Sequence, residues 1–86
     1  MKVELFTRYS CQACIQTKKM LMERNVAFIE HIVGHDIQRE EVLERFPEAK
    51  MLPVIIVDGI YIGSKEHLSI YIDNYGQEER YVGTGT

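Results

Sequence analysis

Apolar residues recur along this chain with two different periods, and the changes of period mark out its elements. Residues 2–6, Lys-Val-Glu-Leu-Phe, alternate every second position and run into the polar stretch Thr7-Arg8-Tyr9-Ser10. That pattern predicts a strand, a loop and then a helix opening at Cys11, with Ser10 as its capping residue. Cys14, Ile15, Leu21, Met22 and, less well, Met20 fall at helical spacing, Lys18, Lys19, Glu23 and Arg24 are set outward, and Asn25 closes the helix. Val26 to Val33 is rich in β-branched and aromatic residues and stops at Gly34, which predicts a second strand. Asp36 is placed to cap a second helix running through Glu40, Glu41, Val42, Leu43 and Phe46 to a stop at Pro47, with its acidic residues toward the start. Pro53 to Val57 is a continuous apolar run, and Asp58-Gly59 separates it from Ile60-Tyr61-Ile62, the signal for a tight antiparallel hairpin. After Gly63-Ser64, Leu68, Ile70, Tyr71 and Ile72 give an apolar face to a last helix from Lys65 to Tyr75. Residues 76–86 lack such a face and are expected to form a flexible C-terminal tail.

The order is βαβ followed by ββα. Right-handed crossovers put the first two strands parallel with the first helix packed across them, and the hairpin adds two antiparallel strands. The expected fold class is therefore α/β, a four-stranded mixed sheet flanked by three helices, which is the thioredoxin-like layout. Eighty-six residues, 45% of them hydrophobic, fit one core and one domain, taken as residues 1–75.

A net charge of −3, with acidic and basic residues interspersed, leaves no basic stripe of the kind that neutralises phosphates, so no nucleic-acid partner is expected. Met51 to Val57, the longest apolar run, contains a proline and falls far short of the ~20 residues that span a bilayer, so no membrane segment is expected. Met1-Lys2 leads straight into the first strand without the apolar stretch of a secretory signal, and the chain reads as cytoplasmic and monomeric.

Cys11-Gln12-Ala13-Cys14 holds both cysteines of the sequence. In a reducing compartment such a pair points to catalysis or metal binding rather than to a structural staple. A free thiol has a pKa of ~8.5 and is mostly protonated at neutral pH, so a thiol acting as a nucleophile needs something that favours its anion. The start of a helix supplies unpaired N–H groups and the positive end of a dipole, and Arg8 and Lys18 are near enough in sequence to add positive charge. Cys11 is thus the expected nucleophile, with its pKa lowered into the ~3.5 to 7.5 range of activated thiols. Cys14, one turn further and deeper, is the expected resolving thiol, attacking whatever becomes attached to Cys11. A zinc site is the competing reading, since His31 and His35 follow at a spacing loosely like that of a zinc finger. A finger, however, carries its cysteines on a hairpin and its histidines on a helix, and this pattern is the reverse. No metal is expected. Pro53 opens an apolar strand, a position to which prolines in sheets are largely confined, and sequence does not fix the isomer of the bond before it.

Taken in order, Phe6-Thr7-Arg8 before the dithiol, Cys11-x-x-Cys14, Met51-Leu52-Pro53 where Thr-Val-Pro is frequent, and Asp58-Gly59 followed by Ile62-Gly63 resemble the glutaredoxin family over residues 2 to about 75. The resemblance implies a thiol-disulfide oxidoreductase that uses glutathione as reducing co-substrate and acts on protein disulfides, on glutathione mixed disulfides and, in many members, on ribonucleotide reductase. Carried over by position, Arg8 and Lys50 are candidate partners of a glutathione carboxylate. Leu52 is expected to pair through its backbone beside Pro53, a cis-proline in thioredoxin-like folds, and Gly63, Ser64, Glu66 and His67 to surround the γ-glutamyl end. The chain departs from the family at Gln12-Ala13, where Pro-Tyr is common, at Ser64, where a second glycine is usual, and at His67, where an aspartate is usual. Thr17 and Val54 resemble glutaredoxin-like donors reduced by thioredoxin reductase, which keeps that electron source open as an alternative. A glutathione-ligated iron-sulfur module is the remaining one.

Overall fold

The structure, a computed structural model, describes residues 1–76 of the chain. Four strands, β1 (Val3–Thr7), β2 (Phe28–Ile32), β3 (Val54–Val57) and β4 (Ile60–Ile62), form one sheet in the order β2-β1-β3-β4. β1 pairs parallel with β2 and antiparallel with β3, and β3 pairs antiparallel with β4. The helices are α1 (Gln12–Glu23), α2 (Arg39–Arg45) and α3 (Lys65–Tyr71). This is the four-stranded mixed sheet with three helices of a thioredoxin-like fold, as the alternation of periods predicts.

Strand position decides composition. β3 lies inside the sheet, and all four of its residues, Val-Ile-Ile-Val, are buried because helices cover both faces. On one face Val3, Leu5, Ile55 and Val57 pack with Leu21 of α1 and with Leu68 and Ile72; on the other, Phe6, Val54 and Ile56 pack with Val42 of α2 and Ala49. Alternation within β1 sends Val3 and Leu5 one way and Phe6 the other. The β3–β4 turn uses left-handed conformations at both central residues, φ +50° at Asp58 and +83° at Gly59, which is why Asp-Gly stands there.

Four local expectations need correction. Ser10 does not cap α1: it has φ +59°, and the cap is Cys11 itself. Asp36 does not cap α2, which begins at Arg39 after Gln38; its carboxylate instead accepts the Ile32 N–H at 2.9 Å and closes the turn after β2. Ile15 and Met22 face solvent, 51% and 61% exposed, while Thr17 is buried with its hydroxyl donating to the Ala13 carbonyl at 2.8 Å. The inward face is 14, 17 and 21, and the two apolar residues lie one step round the helix from it, on the side that faces solvent. The last helix keeps α-helical bonding only to Tyr71 and widens into a π-helical turn, Ile72–Gly76. Ile72 is still buried there, so the apolar pattern outlasts the hydrogen-bond pattern, but Ile70, expected on the same face, is 57% exposed. The expected tail lies, apart from Gly76, outside the described residues. Among those described, no helix is long and apolar enough to cross a membrane.

Candidate active site

α1 starts where β1 has delivered the chain to one end of the sheet. Cys11 has extended backbone angles, φ −107° and ψ 108°, while its carbonyl already accepts the N–H of Ile15 at 3.0 Å. Its sulfur accepts the N–H of Cys14 at 3.2 Å, doing for the helix what a serine or aspartate oxygen does at other helix starts. Any negative charge on that sulfur therefore meets a hydrogen-bond donor and the positive end of the helix dipole at once. Cys11 is half-buried and lines an open groove, whereas Cys14 is 1% exposed. The two are joined as a disulfide, with their Cα atoms 5.2 Å apart.

Behind them, Glu30 on β2 accepts the Thr7 hydroxyl at 2.5 Å and the Lys18 ammonium at 2.8 Å, tying β1, β2 and α1 together. The hydrogen bond from Lys18, then that from Thr7, holds the Glu30 carboxyl below the usual range for glutamate, against a smaller opposing effect of burial. Lys18 is thus matched by a carboxylate. Of the two basic residues offered as electrostatic support for Cys11, Arg8 is the one that lines its groove.

The peptide bond between Leu52 and Pro53 is cis. Leu52 precedes the β1–β3 ladder, which begins at Val54, so its backbone takes no part in the sheet. The segment Lys50-Met51-Leu52 forms a ridge shared by two grooves. The larger, about 870 Å³, also holds Arg8, Cys11, Arg39 and apolar residues of α2, with no acidic residue in its lining. The smaller, about 460 Å³, runs past Pro53 to Gly63, Ser64 and Glu66, and Glu48 lines it as well. The candidate ligand residues are therefore divided: Arg8 on one side, Gly63, Ser64 and Glu66 on the other, Lys50 and Leu52 between. His67 lines neither groove. Ser64 caps α3 by accepting the His67 N–H at 3.2 Å, and the His67 Nδ1 lies 2.9 Å from the same hydroxyl oxygen.

Arg39 and Glu48 were not found by sequence reasoning. Arg39 is the first residue of α2, and Glu48 sits in the loop after it; only the folded sheet order carries Arg39 to the larger groove and Glu48 to the smaller one. The histidines of the zinc reading are engaged elsewhere, His31 stacked on Phe6 with its Nε2 3.3 Å from Glu4 and His35 beside Asp36. Among the described residues no cluster of histidine, cysteine and acidic side chains is arranged to hold a metal ion.

Residues 3–62 match the sequence model of the glutaredoxin family. The chain is 33% identical over 84 residues to a probable glutaredoxin of Synechocystis sp., covering 96% of this chain and 76% of that protein. It is also 33% identical over 67 residues to glutaredoxin 3 of Escherichia coli (strain K12), 77% of this chain and 80% of that one. Glutaredoxin 1 from Francisella tularensis, solved in complex with cacodylate, superposes with a TM-score of 0.72 at 26% identity, over 88% of this chain and 96% of that chain. A dithiol bridged across the first turn of a helix, with a cis-proline just before the inner strand β3 and within a sequence of this kinship, makes the chain a member of the glutaredoxin family and a thiol-disulfide oxidoreductase.

Proposed function

We propose that this protein draws electrons from glutathione to reduce protein disulfides and glutathione mixed disulfides, with Cys11 as nucleophile and Cys14 as resolving thiol. The observation that carries the assignment is the asymmetry of the pair: one sulfur on an open groove at a helix start, the other 1% exposed beneath it. In the reduced enzyme the Cys11 thiolate attacks a substrate disulfide, forming a mixed disulfide and expelling one substrate sulfur as a thiolate that takes up a proton. Cys14 then loses its proton and attacks the Cys11 sulfur. The second substrate thiolate leaves, and the enzyme disulfide remains.

Regeneration reverses the roles. A glutathione thiolate attacks the Cys11 sulfur, the one an outside thiol reaches, and Cys14 departs as thiolate and is protonated. A second glutathione attacks the glutathione sulfur of the mixed disulfide, releasing glutathione disulfide and the Cys11 thiolate, so that two electrons pass in each cycle. Arg8 and Lys50 hold a glutathione carboxylate in the larger groove, and the backbone of Leu52 beside Pro53 pairs with the tripeptide. At the γ-glutamyl end Gly63 and Ser64 leave room at the start of α3. There the N–H groups of Lys65 and Glu66 remain for a carboxylate, since Ser64 already takes that of His67. Glu66 and Glu48 supply the negative charge that the ammonium group needs and that His67, turned onto Ser64, does not give.

The cycle belongs in the cytoplasm, where glutathione keeps thiols reduced, and a monomer suffices for it. Ribonucleotide reductase is one disulfide protein this dithiol would serve. The test offers the oxidised protein either glutathione or thioredoxin reductase with NADPH and counts thiols over time. Rapid reduction by glutathione alone is expected. Reduction only by the reductase would transfer the electron source to that enzyme, and iron-sulfur absorbance without thiol turnover would replace catalysis by cluster binding.

A further inference from the structure

The chain has four methionines, and their sulfurs are not equally placed. Met1 and Met20 are partly buried against the core that contains Leu5, Leu21 and Leu68. Met22 is 61% exposed on the solvent side of α1 and lines neither groove. Met51 is 79% exposed, and of the four it alone lines the grooves, reaching both.

Burial gives no reason for an apolar side chain at position 51, because so exposed a residue gains little from leaving water. Its place does. Met51 stands on the ridge between Cys11 in the larger groove and Gly63 and Ser64 in the smaller, so a ligand occupying both grooves crosses it. A flexible, polarisable thioether packs against many shapes beside the reacting sulfur. It is also the oxidisable group that the resting enzyme leaves open. With Cys11 and Cys14 joined, neither is a thiolate that a peroxide can attack, and the chain has no tryptophan.

We infer that Met51 is an oxidation site through which hydroperoxides turn down reduction of protein disulfides. The inference rests on the dithiol cycle proposed above, in which the ligand lies along the Leu52 backbone next to this residue. The thioether sulfur attacks the outer oxygen of the peroxide, the O–O bond breaks, and water or an alcohol leaves. Met51 is thereby oxidised by two electrons to the sulfoxide and the peroxide is reduced by two. The new S=O group is polar and chiral, so an apolar contact becomes a hydrated dipole beside the path of the substrate. A methionine sulfoxide reductase reverses the change, consuming two thiols and releasing water and a disulfide.

The test treats the disulfide form with hydrogen peroxide, removes the peroxide, and follows each methionine by mass spectrometry of peptides alongside kcat/KM for a protein disulfide. Met51 sulfoxide should form several times faster than that of Met1 or Met20, and kcat/KM should fall about fivefold as it accumulates. Met51→Leu keeps a similar volume without the oxidisable sulfur, and its ratio of activity after peroxide to activity before should stay near one. Met22→Leu should lose activity as the parent does, and methionine sulfoxide reductase should restore the parent. An equal fractional loss in Met51→Leu, complete Met51 oxidation with kcat/KM unchanged, or oxidation of Met51 no faster than that of Met1 and Met20 would each overturn the inference while leaving the glutathione cycle in place. Failure of the untreated protein to turn over any disulfide would remove both.

Discussion

Cys11 and Cys14 are the same amino acid three positions apart, yet their surroundings give them different chemistry. Cys11 opens a groove to solvent and Cys14 does not, so an outside disulfide meets only the first sulfur. Cys11→Ser should abolish turnover of every disulfide substrate. Cys14→Ser should retain activity on glutathione mixed disulfides, which need one enzyme thiol, and lose reduction of protein disulfides, which need two. A glutathione-coupled assay on both substrate types checks this, and identical complete loss in the two variants would contradict the division of roles. At this scale the dithiol was legible because Cys-x-x-Cys carries its spacing in the sequence itself. The capping was not: a serine next to the helix start is the commoner cap, and nothing local says that the sulfur takes that place.

Among the elements, α1 matters most, because its first residue is the reacting one and any shift of the helix moves the sulfur. Glu30 fixes that helix to β1 and β2 through Thr7 and Lys18. Its carboxyl is more acidic folded than unfolded, so the stabilisation is complete above the ordinary glutamate range and is lost as pH falls through the lowered folded value. Glu30→Gln should cost about 1 kcal/mol near neutral pH, a partly exposed pair being worth less than a buried one. Urea unfolding of both proteins at a series of pH values should show the gap closing in acid, and a gap constant down to about pH 3 would contradict it. The elements and their order were legible from the periods of apolar residues. The side of α1 that faces the sheet was less so, since Thr17 is polar and buried while Ile15 and Met22 are apolar and exposed. Periodicity reports which residues are apolar, and packing decides which of them are covered.

For the molecule as a whole, the sheet order β2-β1-β3-β4 gathers a site from segments distant in sequence. The loop after β1 brings Arg8 and Cys11, the start of α2 brings Arg39, and the segment before β3 brings Lys50 to Pro53. Residues marked by a motif were found in the sequence. Arg39 and Glu48 carry no such mark, and only the topology puts them at the grooves. The proposed enzyme requires that folding itself acidify one thiol, by setting it at the head of α1. The direct test is the rate of alkylation of the reduced protein against pH, measured on the native chain and again in a denaturant that unfolds it, with Cys14→Ser used to isolate Cys11. The native rate should rise with a midpoint at least a unit below the ~8.5 of a free thiol, and the unfolded one at the ordinary value. Coincident midpoints near ~8.5 in both states would contradict the account.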